Sequence, residues 1–160
     1  MTDHDEQLPS APPPAVACER VLHYALLDDS VGFRSGHGLV SSVKGHDVGR
    51  VACLVICTEK RSSKFLLQFC DSEWTPEAVA VKDSVDEAQR LAERIFPGSS
   101  SRWVNAHFSE DDANRYLDEM FEGQRCSFCN KRPDEVPQIF GNGGPTNICS
   151  ECIEEFHAQL

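Results

Sequence analysis

The sequence predicts an α+β protein, in which an antiparallel sheet with about two covering helices precedes a small C-terminal module. Short apolar segments rich in β-branched residues follow one another closely between residues 20 and 82, as in an antiparallel sheet. Two amphipathic patterns with capping residues come next. The stretch from residue 124 onward is too short to form a core unaided. We therefore expect a disordered tail over 1–17, a domain over 18–123 and a module over 124–160.

The first residues and the charge balance exclude several classes of protein. Residues 1–17 are rich in Pro, Ser, Ala and acidic residues, which leave almost nothing to bury. Met1–Asp5 lacks the basic and apolar segments of a signal peptide, so we expect a cytoplasmic protein without membrane contact. With 15 Lys and Arg against 26 Asp and Glu, the net charge is −11. This excess of negative charge argues against binding to nucleic acid, which needs clustered cations.

Four strands are predicted in the first domain. Arg20–Asp28, Arg50–Thr58, Lys64–Cys70 and Glu77–Lys82 have strand length and apolar or β-branched composition. The Gly-rich segment 31–49 between the first two is predicted to be a long loop or a short hairpin.

Two helices and a fifth strand are predicted after these four. Ser84 and Glu87 have the spacing of a capping box, and Ser109 and Asp112 repeat this reciprocal pattern before the second helix. Segment 102–108 between the helices has strand composition. The faces expected to be buried consist of Val85, Ala88, Leu91, Ala92 and Ile95 in the first helix and of Ala113, Tyr116, Leu117, Met120 and Phe121 in the second.

Two Cys-x-x-Cys pairs, Cys126/Cys129 and Cys149/Cys152, indicate a metal site near the C-terminus. Two such turns supply four soft ligands in the tetrahedron that zinc favours, and their separation is that of a structural zinc site. Asn130, after the first pair, tolerates the left-handed conformation of a tight turn. We therefore predict one structural Zn²⁺ per chain, held in a treble-clef zinc finger.

Other interpretations of these cysteines are less consistent with the pattern. Free or disulfide-bonded thiols are the alternative, but spaced Cys-x-x-Cys pairs are typical of zinc sites in an intracellular chain. A catalytic zinc needs an open position, which four thiolates do not leave. No catalytic residue and no organic cofactor site is predicted.

The segment CSFCNKRPDEV, together with ICSECIEEF, resembles the zinc-binding domain of the AAA+ unfoldase ClpX. The resemblance covers residues 125–160 only and includes the aromatic Phe128, the basic Lys131 and the acidic pair Asp134-Glu135. That family usually has Gly where this chain has Asn130. The resemblance implies a treble clef that forms homodimers and docks adaptors and some substrates. ATPase activity is not implied, because no GxxxxGK[ST] motif occurs in the chain.

Apolar residues of the module either face a partner or pack on the first domain. They are Val136, Ile139, Phe140, Ile148, Ile153, Phe156 and Leu160. Cys53, Cys57 and Cys70 are expected to be buried thiols rather than reactive ones, with a second zinc site as a weaker alternative. His23 and His107 are expected to be structural residues.

Two functions are consistent with the sequence. The first is a bacterial, non-enzymatic protein-interaction or dimerisation factor, adaptor-like, in protein quality control. The second is a small enzyme with a site on the 31–49 loop, where His37 and His46 lie, and with a purely structural zinc.

Overall fold

The computed structural model describes residues 9–34 and 51–160, together with the backbone of Ser42–Val43 and His46–Asp47. The chain divides into two compact units, Met1–Ala113 and Asn114–Leu160. This division falls inside a helix, earlier than the boundary at residue 124 that the sequence suggests. Among the described residues, no helix has the length and apolarity needed to cross a bilayer.

The first unit is built on a six-stranded antiparallel sheet. The strand bounds are β1 Ala15–Val16, β2 Glu19–Leu26, β3 Ser42–Val43, β4 His46–Asp47, β5 Cys53–Thr58, β6 Phe65–Cys70, β7 Pro76–Lys82 and β8 Val104–Asn105. The strands of the main sheet follow the order β1-β2-β5-β6-β7, and β8 also pairs with β2. A separate two-stranded ladder is formed by β3 and β4. The four predicted strands are therefore present, whereas the fifth is reduced to two residues.

The end of the predicted tail belongs to the sheet. Ala15 and Val16 are only 4% and 3% exposed, and they pair with β2 through a two-residue turn. The indole of Trp74 donates a hydrogen bond to the Ser10 carbonyl, and the Gln68 amide donates one to the Val16 carbonyl. Disorder predicted over 1–17 therefore does not extend to this stretch, because long-range partners in the sheet order it. Residues 1–8 lie outside the described part of the chain.

Helix α1, Val85–Ile95, covers one face of the sheet. The Ser84 hydroxyl accepts a hydrogen bond from the Glu87 amide at 3.1 Å, as the capping box predicts. The reciprocal bond is displaced by one residue, since the Glu87 carboxylate accepts from the Asp83 amide. The predicted face is correct, because Ala88, Leu91, Ala92 and Ile95 are buried against Leu54, Ile56, Leu67 and Phe69.

The opposite face of the sheet has its own apolar cluster. Val21 and Val55 lie there with Cys53, Cys57, Cys70 and Trp74. Partly buried side chains of Ala106 and Phe108 pack against this cluster. Two-sided burial explains why β5 is a continuous apolar segment rather than an alternating one.

Helix α2, Glu110–Met120, begins with the predicted reciprocal cap. The Asp112 amide donates to the Ser109 hydroxyl at 3.1 Å, and the Ser109 amide donates to the Asp112 carboxylate at 2.9 Å. Ala113 and Leu117 are buried, whereas Met120 is 44% exposed. The predicted buried stripe is therefore correct at its centre and wrong at Met120.

The second unit contains a hairpin and a short helix. Strands β9, Ile139–Gly141, and β10, Asn147–Cys149, are antiparallel, and helix α3, Ser150–His157, follows directly. A single 3₁₀ turn, Pro133–Glu135, precedes the hairpin. A turn, a hairpin and a helix in this order are the elements expected of a treble clef.

Candidate metal centre

The first Cys-x-x-Cys pair lies on a tight turn before the hairpin. The Asn130 amide donates to the Cys126 carbonyl at 2.9 Å, and the Cys126 amide donates to the Lys131 carbonyl at 2.9 Å. Asn130 has a φ of 61°, in the left-handed region that Asn tolerates better than most residues. The turn therefore brings Cys126 and Cys129 to one side, in the conformation that the sequence predicts.

The second pair joins β10 to α3. Cys149 ends the strand and caps the helix, because its sulfur accepts a hydrogen bond from the Cys152 amide at 3.4 Å. The Cys149 amide in turn donates to the Cys126 sulfur at 3.4 Å. Amide groups that point at sulfur favour the thiolate form, which is the form that binds a metal.

The four sulfurs form one cluster. The Cys126 and Cys152 Sγ atoms are 3.8 Å apart, the Cys129 and Cys149 Sγ atoms are 3.7 Å apart, and all four lie within 4.8 Å of one another. A regular tetrahedron with Zn–S bonds of about 2.3 Å places its sulfurs about 3.8 Å apart. Disulfide sulfurs are separated by about 2.05 Å, so these cysteines are not cross-linked.

The electrostatics of the cluster favour ionisation of one thiol. Burial raises the pKa of Cys126, but hydrogen bonds from the Cys129, Phe128 and Cys149 amides outweigh it and lower that pKa to about 6. Burial and neighbouring thiols raise the pKa of Cys152. A divalent cation would replace the protons that the cluster otherwise shares.

Asn147 connects the two halves of the cluster. Its amide group donates to the Gly123 and Arg125 carbonyls, at 3.3 and 3.4 Å. The backbone carbonyl of Asn147 accepts from the Ser127 amide at 2.8 Å, and the backbone amide of Asn147 donates to the Ser127 hydroxyl at 3.0 Å. The first turn is therefore fixed to the strand that leads into the second pair.

Arg132 forms the largest polar network of the second unit. It is only 4% exposed, and its guanidinium donates to both Asp134 oxygens, to Asp118 and to Asn114. The neighbouring Lys131 instead forms a 2.5 Å ion pair with Glu151. Sequence reasoning missed the structural roles of Arg132 and Asn147, because the α2 partners of Arg132 lie 14–18 residues away and the partners of Asn147 lie 20–24 residues away. The acidic pair Asp134-Glu135 was the one local feature of the sequence that could have indicated the role of Arg132.

Apolar residues of the second unit divide into a small core and an exposed set. Val136 is buried beside the cysteines, and Ile139 and Ile148 are partly buried against it. Phe128 and Phe156 form an edge-to-face pair with ring centroids 5.3 Å apart. The exposed set comprises Met120, Phe128, Phe140, Ile153, Phe156 and Leu160, each at least 41% exposed.

Other candidate residues are not brought into a metal site. Among the described residues, the four C-terminal cysteines are the only group of three or more potential ligands, so a second zinc site at Cys53, Cys57 and Cys70 is not supported. Those three thiols are buried, as predicted. The side chains of His37 and His46 lie outside the described residues. His23 and His107 line a common surface groove, which the sequence does not indicate.

Comparison with known proteins supports the metal assignment. Residues 124–160 match the family model described as ClpX C4-type zinc finger. A search of curated proteins and a search of solved structures each gave no match for the chain. The family match and the sulfur cluster together identify a C-terminal zinc-binding domain with a structural Zn²⁺.

Proposed function

We propose that this protein is a non-enzymatic interaction factor, whose zinc domain self-associates through exposed apolar surface. Cys126, Cys129, Cys149 and Cys152 would hold the ion. Their thiolates fill a tetrahedron, which leaves no position for a reacting water. The zinc therefore stabilises a surface instead of performing chemistry.

The exposed aromatic pair carries this proposal. Phe128 is 58% exposed and Phe156 is 43% exposed, although the two rings contact each other. Ile153, on the same helix as Phe156, is 41% exposed. Large apolar side chains grouped on a small module are typical of a protein–protein interface. Cys129, the one exposed member of the cluster, lies directly after Phe128, so the ion stabilises the turn that presents this ring.

A second copy of the chain is the partner that we propose. A symmetric interface would pair each copy's Phe128, Ile153 and Phe156 with those of the other, and it needs no charge complementarity. An apolar interface is favoured because the chain carries a net charge of −11, so that two copies would repel each other at an interface formed by charged surfaces.

Sedimentation of the full chain tests self-association. The metal-replete protein should sediment as a dimer, and Phe156→Glu should give a folded, zinc-containing monomer, because it places a carboxylate in the proposed interface. Val79→Glu is the matched control, since Val79 is 55% exposed on β7 in the other unit and the charge change is the same. A zinc-loaded monomer in the unmodified protein, or equal dissociation by both variants, would overturn the proposal.

An adaptor-like role in protein quality control is the finer part of the proposal. The same apolar surface would bind an unfolded segment when it is not occupied by a second copy. A chemically unfolded reference protein should then compete with dimerisation, and Phe156→Glu should abolish its binding. Binding that persists unchanged in this variant would exclude the zinc domain as the docking surface.

A further inference from the structure

A surface groove of about 330 Å³ lies in the first unit, between β2 and the segment that follows β8. Its volume is at the small end of the range for ligand sites. The lining residues are Arg20, Val21, Leu22, His23, Asn105, His107, Phe108 and Ser109. Nothing in the zinc domain contributes to it, so a function here would be separate from that of the metal.

The lining of this groove has one fixed positive charge and no carboxylate, although the protein as a whole is acidic. It contains one Arg and two His but no Asp or Glu, whereas the chain as a whole has 26 acidic residues. The Arg20 guanidinium is held in place by a 3.0 Å hydrogen bond from Nη1 to the Phe108 carbonyl. A guanidinium carries five N–H donors, so this single bond orients Arg20 without exhausting it.

Irregular backbone places the two histidines at one groove. The β2 ladder has a bulge between Val21 and His23, and bulges redirect the side chains that follow them. His107 has a φ of 57°, and its amide donates to the Asn105 side chain at 2.8 Å. Asn105 is also the residue that pairs with His23 across the sheet. The groove therefore brings together residues more than 80 positions apart.

We propose that Arg20, His23 and His107 bind a small oxyanion of the phosphate class. An oxyanion accepts several charge-assisted hydrogen bonds at once, and guanidinium and imidazolium groups are suited to donate them. The Ser109 amide and hydroxyl do not take part, because both already bind Asp112. The groove is large enough for a phosphate group.

Binding should strengthen as His23 becomes protonated. Burial, and secondarily the nearby His107, lower the pKa of His23, because its charged form is desolvated and repelled. The other titratable or charged side chains of the lining are Arg20 from β2 and His107 from the segment after β8. The Asp112 carboxylate of α2 lies next to the groove, where it accepts from Ser109, and Ile56 is the uncharged partner of His23 on β5. A bound dianion would offset this repulsion and raise the pKa of His23.

Histidine NMR of the full-length, zinc-loaded chain tests this site. The probes are sodium sulfate, whose charge is constant between about pH 5 and pH 8, and inorganic phosphate, each against chloride at matched ionic strength. We expect saturable shifts of the His23 and His107 ring signals and a higher pKa for His23. Arg20→Gln should weaken binding about tenfold, through loss of a charge-assisted donor.

Two further variants make the result decisive. His107→Asn removes one imidazole donor but suits the left-handed backbone, so it should fold and also weaken binding. Arg61→Gln removes the same charge from an exposed turn outside the groove and should leave binding unchanged. Absence of saturable shifts, or equal weakening by Arg61→Gln and by the groove variants, would overturn the proposal and indicate general charge screening only.

Discussion

The Arg132 guanidinium joins Asp118 of helix α2 to the turn that follows the first cysteine pair, with an Nη1–Oδ1 distance of 2.6 Å. Arg132 also contacts Asn114, one turn earlier on the same helix. Both helix residues belong to the unit that contains the zinc site. The zinc-binding unit therefore includes the C-terminal half of α2, which precedes the segment 124–160 that matches the zinc-finger family.

Replacement of Arg132 should destabilise the second unit strongly. Arg132→Leu would leave the Asp134 carboxylate, whose side chain is 2% exposed, without its cation. Removal of one partner of a buried ion pair costs about 3–5 kcal/mol. Denaturant unfolding followed by α3 signals should show this loss, with a smaller effect for Asp118→Asn, because Asp118 is 48% exposed.

The double variant Arg132→Leu/Asp134→Leu distinguishes a buried charge from lost packing. It removes both ions and should recover a large part of the stability lost in Arg132→Leu, because no buried carboxylate that has lost the Arg132 cation remains. A double variant that is no more stable than the single one would show that the contacts of Arg132 with α2 dominate instead.

Removal of zinc should unfold the second unit, including the end of α2. Metal binding provides the folding free energy of modules this small. Purified protein should contain about one zinc per chain. In Cys129→Ser, or after chelation, hydrogen exchange should accelerate in β9, β10, α3 and residues 114–120, while β5 and β6 stay protected. Continued protection of 114–120 without metal would show that this half of α2 does not depend on the zinc site.

The sequence was sufficient for features that depend on local spacing. The two cysteine pairs, the Asn130 turn and the caps at Ser84 and Ser109 are determined by residues at most a few positions apart. Long-range partners were not predictable in this way. The hydrogen bonds from Gln68 and Trp74 that order the stretch around β1, the burial of Arg132 and the groove shared by His23 and His107 each depend on residues distant in sequence.

A single substitution in the β1–β2 turn should increase the stability of the first unit. Ala17 and Cys18 have φ values of 49° and 66°, so both occupy left-handed conformations that disfavour side chains with a Cβ atom. Cys18→Gly should raise the free energy of unfolding by about 1 kcal/mol, because Gly adopts this conformation without strain. Cys18→Ala keeps the Cβ atom and should give no such gain. An equal gain in both variants would assign the effect to the thiol rather than to the backbone.

Buried thiols of the first unit should make it sensitive to alkali. Burial raises the pKa of Cys57 to about 12, from an ordinary value of 9.0, and burial likewise raises that of Cys53 to about 12. Above about pH 9 the unfolded chain releases these protons first, so ionisation favours unfolding. The contribution of these neutral thiols to the free energy of unfolding is therefore complete below pH 9 and is lost progressively as the pH rises toward 12.

Cys57→Ala should therefore reduce the loss of stability between about pH 9 and pH 10.5 by up to about 1.4 kcal/mol per pH unit, because one titrating group is removed. Val55→Ala is the control, since Val55 is buried on the same face and does not titrate. It should lower stability equally at every pH. Denaturant unfolding at a series of pH values measures both, and the same pH dependence in Cys57→Ala as in the unmodified protein would show that this thiol does not remain neutral in the folded state.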